Sequence, residues 1–355
     1  MGIYDTLTML QGMKAAKPAP SFLKDNYFPT APQDIYTTDK VAVDFEDDST
    51  EKLAPAVVNG SIPVARTGFT ANEYTAPLVA PSRILTVSML NKRTFGENMF
   101  SGLTPEQREA QYLADDIADL SKMITRTEEY MCAGILTKNA YTITQYLNGY
   151  AKTGQDFTIS FFGAGQTANQ AIYTPGTNWN ASGATPIDDV AAMAKSLKKR
   201  GLPATDLILG ADAAEQFLKN EDILKLLDNR RVVLAAELNP TEIAPGATYL
   251  GRFNFNGNAL DVYSYDAQYT TEDGKSEYYI PAGAAIVTAK ACGRTAYGAI
   301  SQYEEGAEDP TTYAASRVPH VIINRHENIK EIVVQSRPLA MPKHINNFVS
   351  ATVVA

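Results

Sequence analysis

The chain has 355 residues, 45% hydrophobic and 20% charged, which excludes a disordered chain and exceeds what one compact core usually holds. Its 31 Lys and Arg against 40 Asp and Glu give a net charge of −9, which argues against a surface built to grip nucleic acid. Two cysteines, Cys132 and Cys292, make no disulfide framework and point to free thiols in a reducing compartment.

Residues 5–13 read as a short helix capped by Asp5 and stopped by Lys17-Pro18-Ala19-Pro20. Met1 to Thr6 also fits an N-myristoylation pattern, but no polybasic patch follows and one acyl chain anchors weakly. There is no secretory signal and no apolar run long enough to span a membrane. Up to about Thr38 there is little periodicity, so the segment reads as an extended arm that buries little of itself. From Lys40 to Pro81 the pattern alternates as strands do, in residues 41–45, 62–66 and 72–78, around an acidic stretch at 46–51 and an Asn59-Gly60 hairpin turn. A long hairpin of this kind is marginal alone and needs a partner surface.

The strongest signal is a helix over 105–137. Thr104 is its N-cap, Pro105 its first residue, and Gln107 completes a capping box. Leu113, Ile117, Leu120, Ile124, Met131 and Ile135 form one apolar stripe, interrupted at Thr127, with Glu109 and Lys122 outside it. At 1.5 Å per residue the helix is roughly 50 Å long and must lie along a sheet or another long element. Cys132 falls inside it and is expected to be buried.

Strand-like runs follow at 140–147 and 156–162, then a polar loop over 163–183. A second unit begins at Thr185: a helix ended by Gly201 after Lys198-Lys199-Arg200, a buried strand at 206–210, helical pieces at 212–219 and 222–227, and β-structure over 248–289 with turns at Asn256-Gly257 and Asp273-Gly274. After an acidic loop at 303–310 the chain ends in strands at 328–334 and 348–354. The terminal strand is expected to return to the sheet beside the long helix.

Reactive constellations are sparse. Residues 163–168 read G-x-G-x-x-A after a strand, the one feature that would suit a two-domain nucleotide-cofactor enzyme. That turn needs a helix immediately after it, and residues 168–179, with Thr174-Pro175-Gly176, have no apolar helical stripe. His320, His326 and His344 lack metal-ligand spacing, and there is no nucleophile elbow or phosphate-binding loop. No catalytic, metal or cofactor residue is assigned, and neither enzymatic activity nor a cofactor is expected.

Several stretches follow one another along the chain: Phe22-Leu23-Lys24, Thr37-Thr38-Asp39-Lys40-Val41, then residues 53–60 leading to Arg66 and Glu73-Tyr74-Thr75. Thr177-Asn178-Trp179 precedes Pro186-Ile187-Asp188-Asp189, and Leu227-Asp228-Asn229-Arg230-Arg231 follows. Tyr263-Ser264-Tyr265-Asp266-Ala267-Gln268-Tyr269 leads to Asp273-Gly274-Lys275 and Tyr279-Ile280-Pro281, and the end carries Gln335-Ser336-Arg337-Pro338-Leu339 and Phe348-Val349-Ser350. With these motifs the chain resembles, nearly end to end, the phage lambda major head protein family, which has the HK97-type capsid fold. The acidic stretch at 44–48 departs from that family's pattern.

The resemblance implies an α+β fold with an N-terminal arm at 1–39, an extended E-loop hairpin at 40–82, a P-domain at 83–184 with the spine helix and return strands at 302–355, and an A-domain at 185–301. It implies a shell subunit assembling with itself into hexamers and pentamers of an icosahedral capsid around double-stranded DNA. That capsid is the virion's, built in the host cytoplasm, with no membrane. Portal, scaffolding and decoration proteins are the other partners it suggests; an encapsulin-like compartment would share the fold but is disfavoured by the motif order. E-loop candidates for contact between subunits are Asp44, Glu46, Asp47, Asp48, Arg66, Glu73 and Tyr74. Contact with DNA is expected to be weak and non-specific, through Lys14 and Lys17 or through Lys198, Lys199 and Arg200, although cations at a helix C-terminus are also explained by its dipole.

Overall fold

Thr104 opens the long helix by reciprocal capping: its hydroxyl accepts from the Gln107 N–H at 3.3 Å, and the Gln107 side chain accepts from the Thr104 N–H at 3.0 Å. The helix runs Pro105–Lys138, 34 residues, and is closed by Asn139 in the left-handed region at φ 54°. The computed structural model describes residues 21–46, 69–92, 104–147, 151–161, 171–228, 236–271, 274–304 and 308–354. The expected helix at 5–13, the Asn59-Gly60 turn, and the G-x-G-x-x-A stretch lie outside these, as do Lys14, Lys17, Asp47, Asp48 and Arg66.

In chain order, a short helix Phe22–Tyr27 precedes β1 (Lys40–Glu46), β2 (Phe69–Thr75), β3 (Ser82–Thr86) and the long helix. Then come β4 (Ala140–Leu147), β5 (Ala151–Ser160), β6 (Ile172–Tyr173), helix Pro186–Lys199, β7 (Asp206–Leu209), and helices Ala211–Lys219 and Glu221–Asp228. The rest is strand: β8 (Ala236–Ala244), β9 (Ala247–Phe255), β10 (Asn258–Tyr265), β11 (Gln268–Thr270), β12 (Ser276–Tyr278), β13 (Ala284–Thr288), β14 (Gly293–Tyr297), β15 (Ile300–Tyr303) and β16 (Pro310–Tyr313). It closes with β17 (Val318–Asn324), β18 (Ile329–Gln335), β19 (Pro338–Pro342) and β20 (Val349–Thr352).

Two bodies of structure result. Along the first half of the long helix lies a three-stranded sheet, β17-β18-β3, and Leu113, Leu120 and Ile124 pack with Ile332 and Val334 of β18 in one apolar cluster. The other body is a seven-stranded sheet in the order β6-β20-β13-β7-β10-β9-β8. Helix Pro186–Lys199 covers it, with Val190, Met193 and Leu197 fully buried against Phe253, Val262 and Val287. Asn256 and Gly257, at φ 49° and 87°, make the tight turn between β9 and β10. The β4-β5 hairpin folds back on the end of the long helix, where a Cβ on Gly134 would stand 2.8 Å from that of Tyr141. Only glycine lets the hairpin approach so closely.

Two expectations are corrected. The segment before Thr38 is not wholly an arm: Phe22, Leu23, Tyr27 and Phe28 are between 0% and 3% exposed and belong to the main core with Met131, Met341 and Phe348. A six-residue helix is too short for periodicity to reveal it, and tertiary packing holds it. The last strand also goes elsewhere. β18, β19 and β20 all touch the long helix, but β20 is hydrogen-bonded within the seven-stranded sheet, antiparallel to β13 and parallel to β6. Without it the buried edge of β13 would leave backbone groups unpaired. The sheet thus draws β6 and β20 from outside residues 185–301, while β14, inside that range, pairs with β19.

Candidate functional site

The long helix carries two adjacent buried carboxylates, Glu128 and Glu129, 0% and 4% exposed. Glu128 lies on the apolar stripe, four residues after Ile124 and three before Met131. Arg317 binds it bidentately at 2.6 and 2.8 Å, Lys24 at 2.6 Å, and the Tyr297 hydroxyl donates to it at 2.9 Å. Burial alone would raise the Glu128 pKa, but Arg317 and Lys24 outweigh it and hold the carboxyl below its usual range. Lys24 is held charged in the same way, burial being overcome by Glu128.

Glu129 accepts from the backbone N–H groups of Leu23 at 2.8 Å and Lys24 at 3.0 Å, from the Ser21 hydroxyl, and from the Tyr265 hydroxyl at 2.7 Å. The first two are free N–H groups at the start of helix Phe22–Tyr27, where a carboxylate is favoured. At the other end of that helix Tyr27 donates to Asp206 of β7 at 2.9 Å. The periodicity reading missed this constellation. Its signal was present: a glutamate at the stripe position between Ile124 and Met131 requires a buried cationic partner.

The β1-β2 hairpin is a two-stranded ladder from Lys40↔Thr75 to Glu46↔Phe69. Neither strand pairs with a third described strand. Its base is seated in the body: Val41 and Ala76 are core residues, and the Tyr74 ring lies 4.9 Å from Phe161 while its hydroxyl donates to the Ser160 carbonyl at 3.3 Å. Tyr74 therefore packs inside its own chain. Glu73 is exposed and pairs with Lys40 at 3.4 Å. Asp44 and Glu46 lie on β1 towards its far end.

Of the basic cluster, Arg200 is half-buried and donates to the carbonyls of Asn346 at 2.6 Å and Phe348 at 3.4 Å, so it ties down the C-terminal segment. Lys198 donates to Asn258, and Lys199 is exposed. His326 and His344 are exposed and His320 is half-buried on β17, apart from one another in the sheet topology. Cys132 and Cys292 are both buried free thiols. Among the described residues no helix is long and apolar enough to cross a membrane.

A model of the phage major capsid protein E family matches residues 5–353. The chain belongs to this family. No curated protein matches the sequence closely enough to count as a relative. Among solved structures, a protein described as the capsid protein of an E. coli CFT073 prophage is 16% identical, with 99% of each chain covered and a TM-score of 0.67. A phage-related protein from Bordetella bronchiseptica RB50 is 8% identical over 96% of this chain and 94% of that one, TM-score 0.53. The capsid of Ralstonia phage GP4 is 11% identical over 96% and 93%, TM-score 0.52. These likenesses show the HK97-type capsid fold. As a phage major capsid protein the chain is a structural protein of the capsid that self-assembles into its shell. The working features of such a capsid protein are the surfaces that meet other copies and the contacts that hold those surfaces in place. The family assignment leaves the cofactor reading of residues 163–168 without support.

Proposed function

We propose that this capsid protein forms the hexamers and pentamers of an icosahedral shell, assembled in the host cytoplasm around double-stranded DNA, and that its β1-β2 hairpin makes the contacts between neighbours. The observation that carries this reading is the hairpin itself: seated in the body at its base and extended as two strands that pair with no third described strand. A two-stranded ribbon becomes stable when it covers another surface, and a neighbouring copy supplies one. Head-to-tail contacts of this kind close into rings. Asp44, Glu46, Asp47, Asp48, Arg66 and Glu73 are the contact candidates; Tyr74 is the hairpin's anchor. Portal, scaffolding and decoration proteins complete the proposed set of partners.

Electron microscopy of the purified chain is expected to show rings, tubes or shells; a stable compact monomer at all concentrations would overturn the reading. Removing residues 47–68 and joining Glu46 to Phe69, which face each other in the ladder, by a two-residue turn should leave the cooperative melt intact and abolish particles. Particles from that variant would show that residues 47–68 are not needed for the contacts.

Binding to DNA is expected to be weak, indifferent to sequence and lost at physiological salt, because the net charge is −9 and Arg200 is engaged within the fold. Titration of shells and free subunits with unrelated duplexes at two salt concentrations checks this. Tight, salt-resistant binding would reveal a dedicated nucleic-acid site.

A further inference from the structure

The long helix and the seven-stranded sheet meet through apolar and polar contacts. The apolar part is broad: Met131, Cys132 and Ile135 of the helix share one cluster with Ile208, Tyr263 and Ile286 of the sheet and with Phe348 next to β20. Apolar contact is non-directional and fixes an angle poorly. The polar part converges on one carboxylate. Glu129 takes the Ser21 hydroxyl and the Leu23 and Lys24 N–H groups on one side, and the Tyr265 hydroxyl of β10 on the other. Helix Phe22–Tyr27 then spans from Glu129 to the sheet. Its Phe22 ring lies 5.4 Å from both Tyr263 and Tyr265, and its Tyr27 hydroxyl reaches Asp206. Hydrogen bonds constrain direction as well as distance, so two of them at the ends of a rigid short helix can hold an angle.

We propose that Glu129 is the joint of the subunit: it fixes helix Phe22–Tyr27 as a brace between the long helix and the seven-stranded sheet, and so sets the angle at which these two bodies enter the shell. This rests on the reading of the chain as a self-assembling shell subunit. Glu128 plays a different part, since Arg317, from outside the brace, binds both its oxygens. Among the described residues no cation pairs with Glu129; the brace and Tyr265 are its partners. In a closed shell a small error in the angle within each subunit is repeated in every copy, so the joint should govern particle geometry more than folding.

The chain carries its own reporter. Cys292 is 8% exposed and lies beneath the brace, its sulfur 3.8 Å from the Tyr27 carbonyl, next to Gly293, on which the Phe28 ring rests. Loosening the brace should expose this thiol. The test is the double variant Tyr27→Phe with Tyr265→Phe, which removes two hydroxyls and leaves the rings in place, beside Glu129→Gln, whose amide would point a donor at donors. Labelling of Cys292 in free subunits, read by peptide mass, is expected to accelerate at least tenfold while the melt stays cooperative. Particles should change from one uniform size to mixed sizes or tubes. Faster labelling with unchanged uniform particles would overturn the role in geometry, and unchanged labelling would overturn the joint. If the wild-type chain formed no particles, the shell reading would fall, and the labelling ratio would still decide whether Glu129 holds the brace.

Discussion

Glu128→Ala is expected to destabilise the chain by about 3–5 kcal/mol, because it leaves the largely covered Lys24 and Arg317 without their counter-charge. Against a typical domain stability of about 5–15 kcal/mol that is enough to give mostly insoluble protein, and urea unfolding of whatever remains soluble measures it. Glu128→Gln should behave similarly, since the amide cannot neutralise two cations. The pH dependence has a definite sign. A carboxyl held below its ordinary value contributes stability that is fully present above the ordinary glutamate pKa of about 4.3 and is lost as pH falls through the lower folded value. The gap between wild type and Glu128→Gln should therefore be constant at neutral pH and shrink on acidification below that point. Asp206, whose carboxyl burial pushes up, is common to both proteins and cancels in the comparison. A gap that is small at neutral pH, or that grows in acid, would mean the cluster is not an ion network of this kind.

Ile124→Asp should be comparably severe. Ile124 is 0% exposed, one turn from the equally buried Leu120, and packed with Ile332 and Val334 of β18. An aspartate there must be buried charged without a partner or taken up protonated, and either costs several kcal/mol on top of the lost apolar contact. Insoluble protein and no particles are expected; a soluble Ile124→Asp chain with normal thermal unfolding would show that the sheet does not lie on this face. Lys122→Ala is the control. Lys122 is half-exposed and pairs with Asp119 across one turn at 3.4 Å, a surface pair worth less than about 1 kcal/mol. Glu109 does not serve as a second control, because it forms an ion pair with Lys330 of the sheet.

What could be read along the chain was whatever depends on near neighbours. The capping box at Thr104, the stripe from Leu113 to Ile135, the Asn256-Gly257 turn and the buried strand Asp206–Leu209 are local, because each follows from side chains within a few turns or one strand length. The hairpin strands Lys40–Glu46 and Phe69–Thr75 were legible for the same reason, as alternation. The Glu128 site was half legible: a charge on an apolar stripe announces a partner but not which one. Lys24 and Arg317, 104 and 189 residues away, are found only once the chain is folded.

The sequence by itself determined the long helix, the hairpin strands and, through its ordered motifs, the family. Only the tertiary structure decided that residues 22–28 belong to the core, that β20 joins β13 rather than the sheet beside the long helix, and that Arg200 serves the C-terminal segment. In each case the physical reason is the same. The place of a short segment or a single side chain is set by which buried edge, carboxylate or carbonyl elsewhere would otherwise go unpaired, and no local pattern records that.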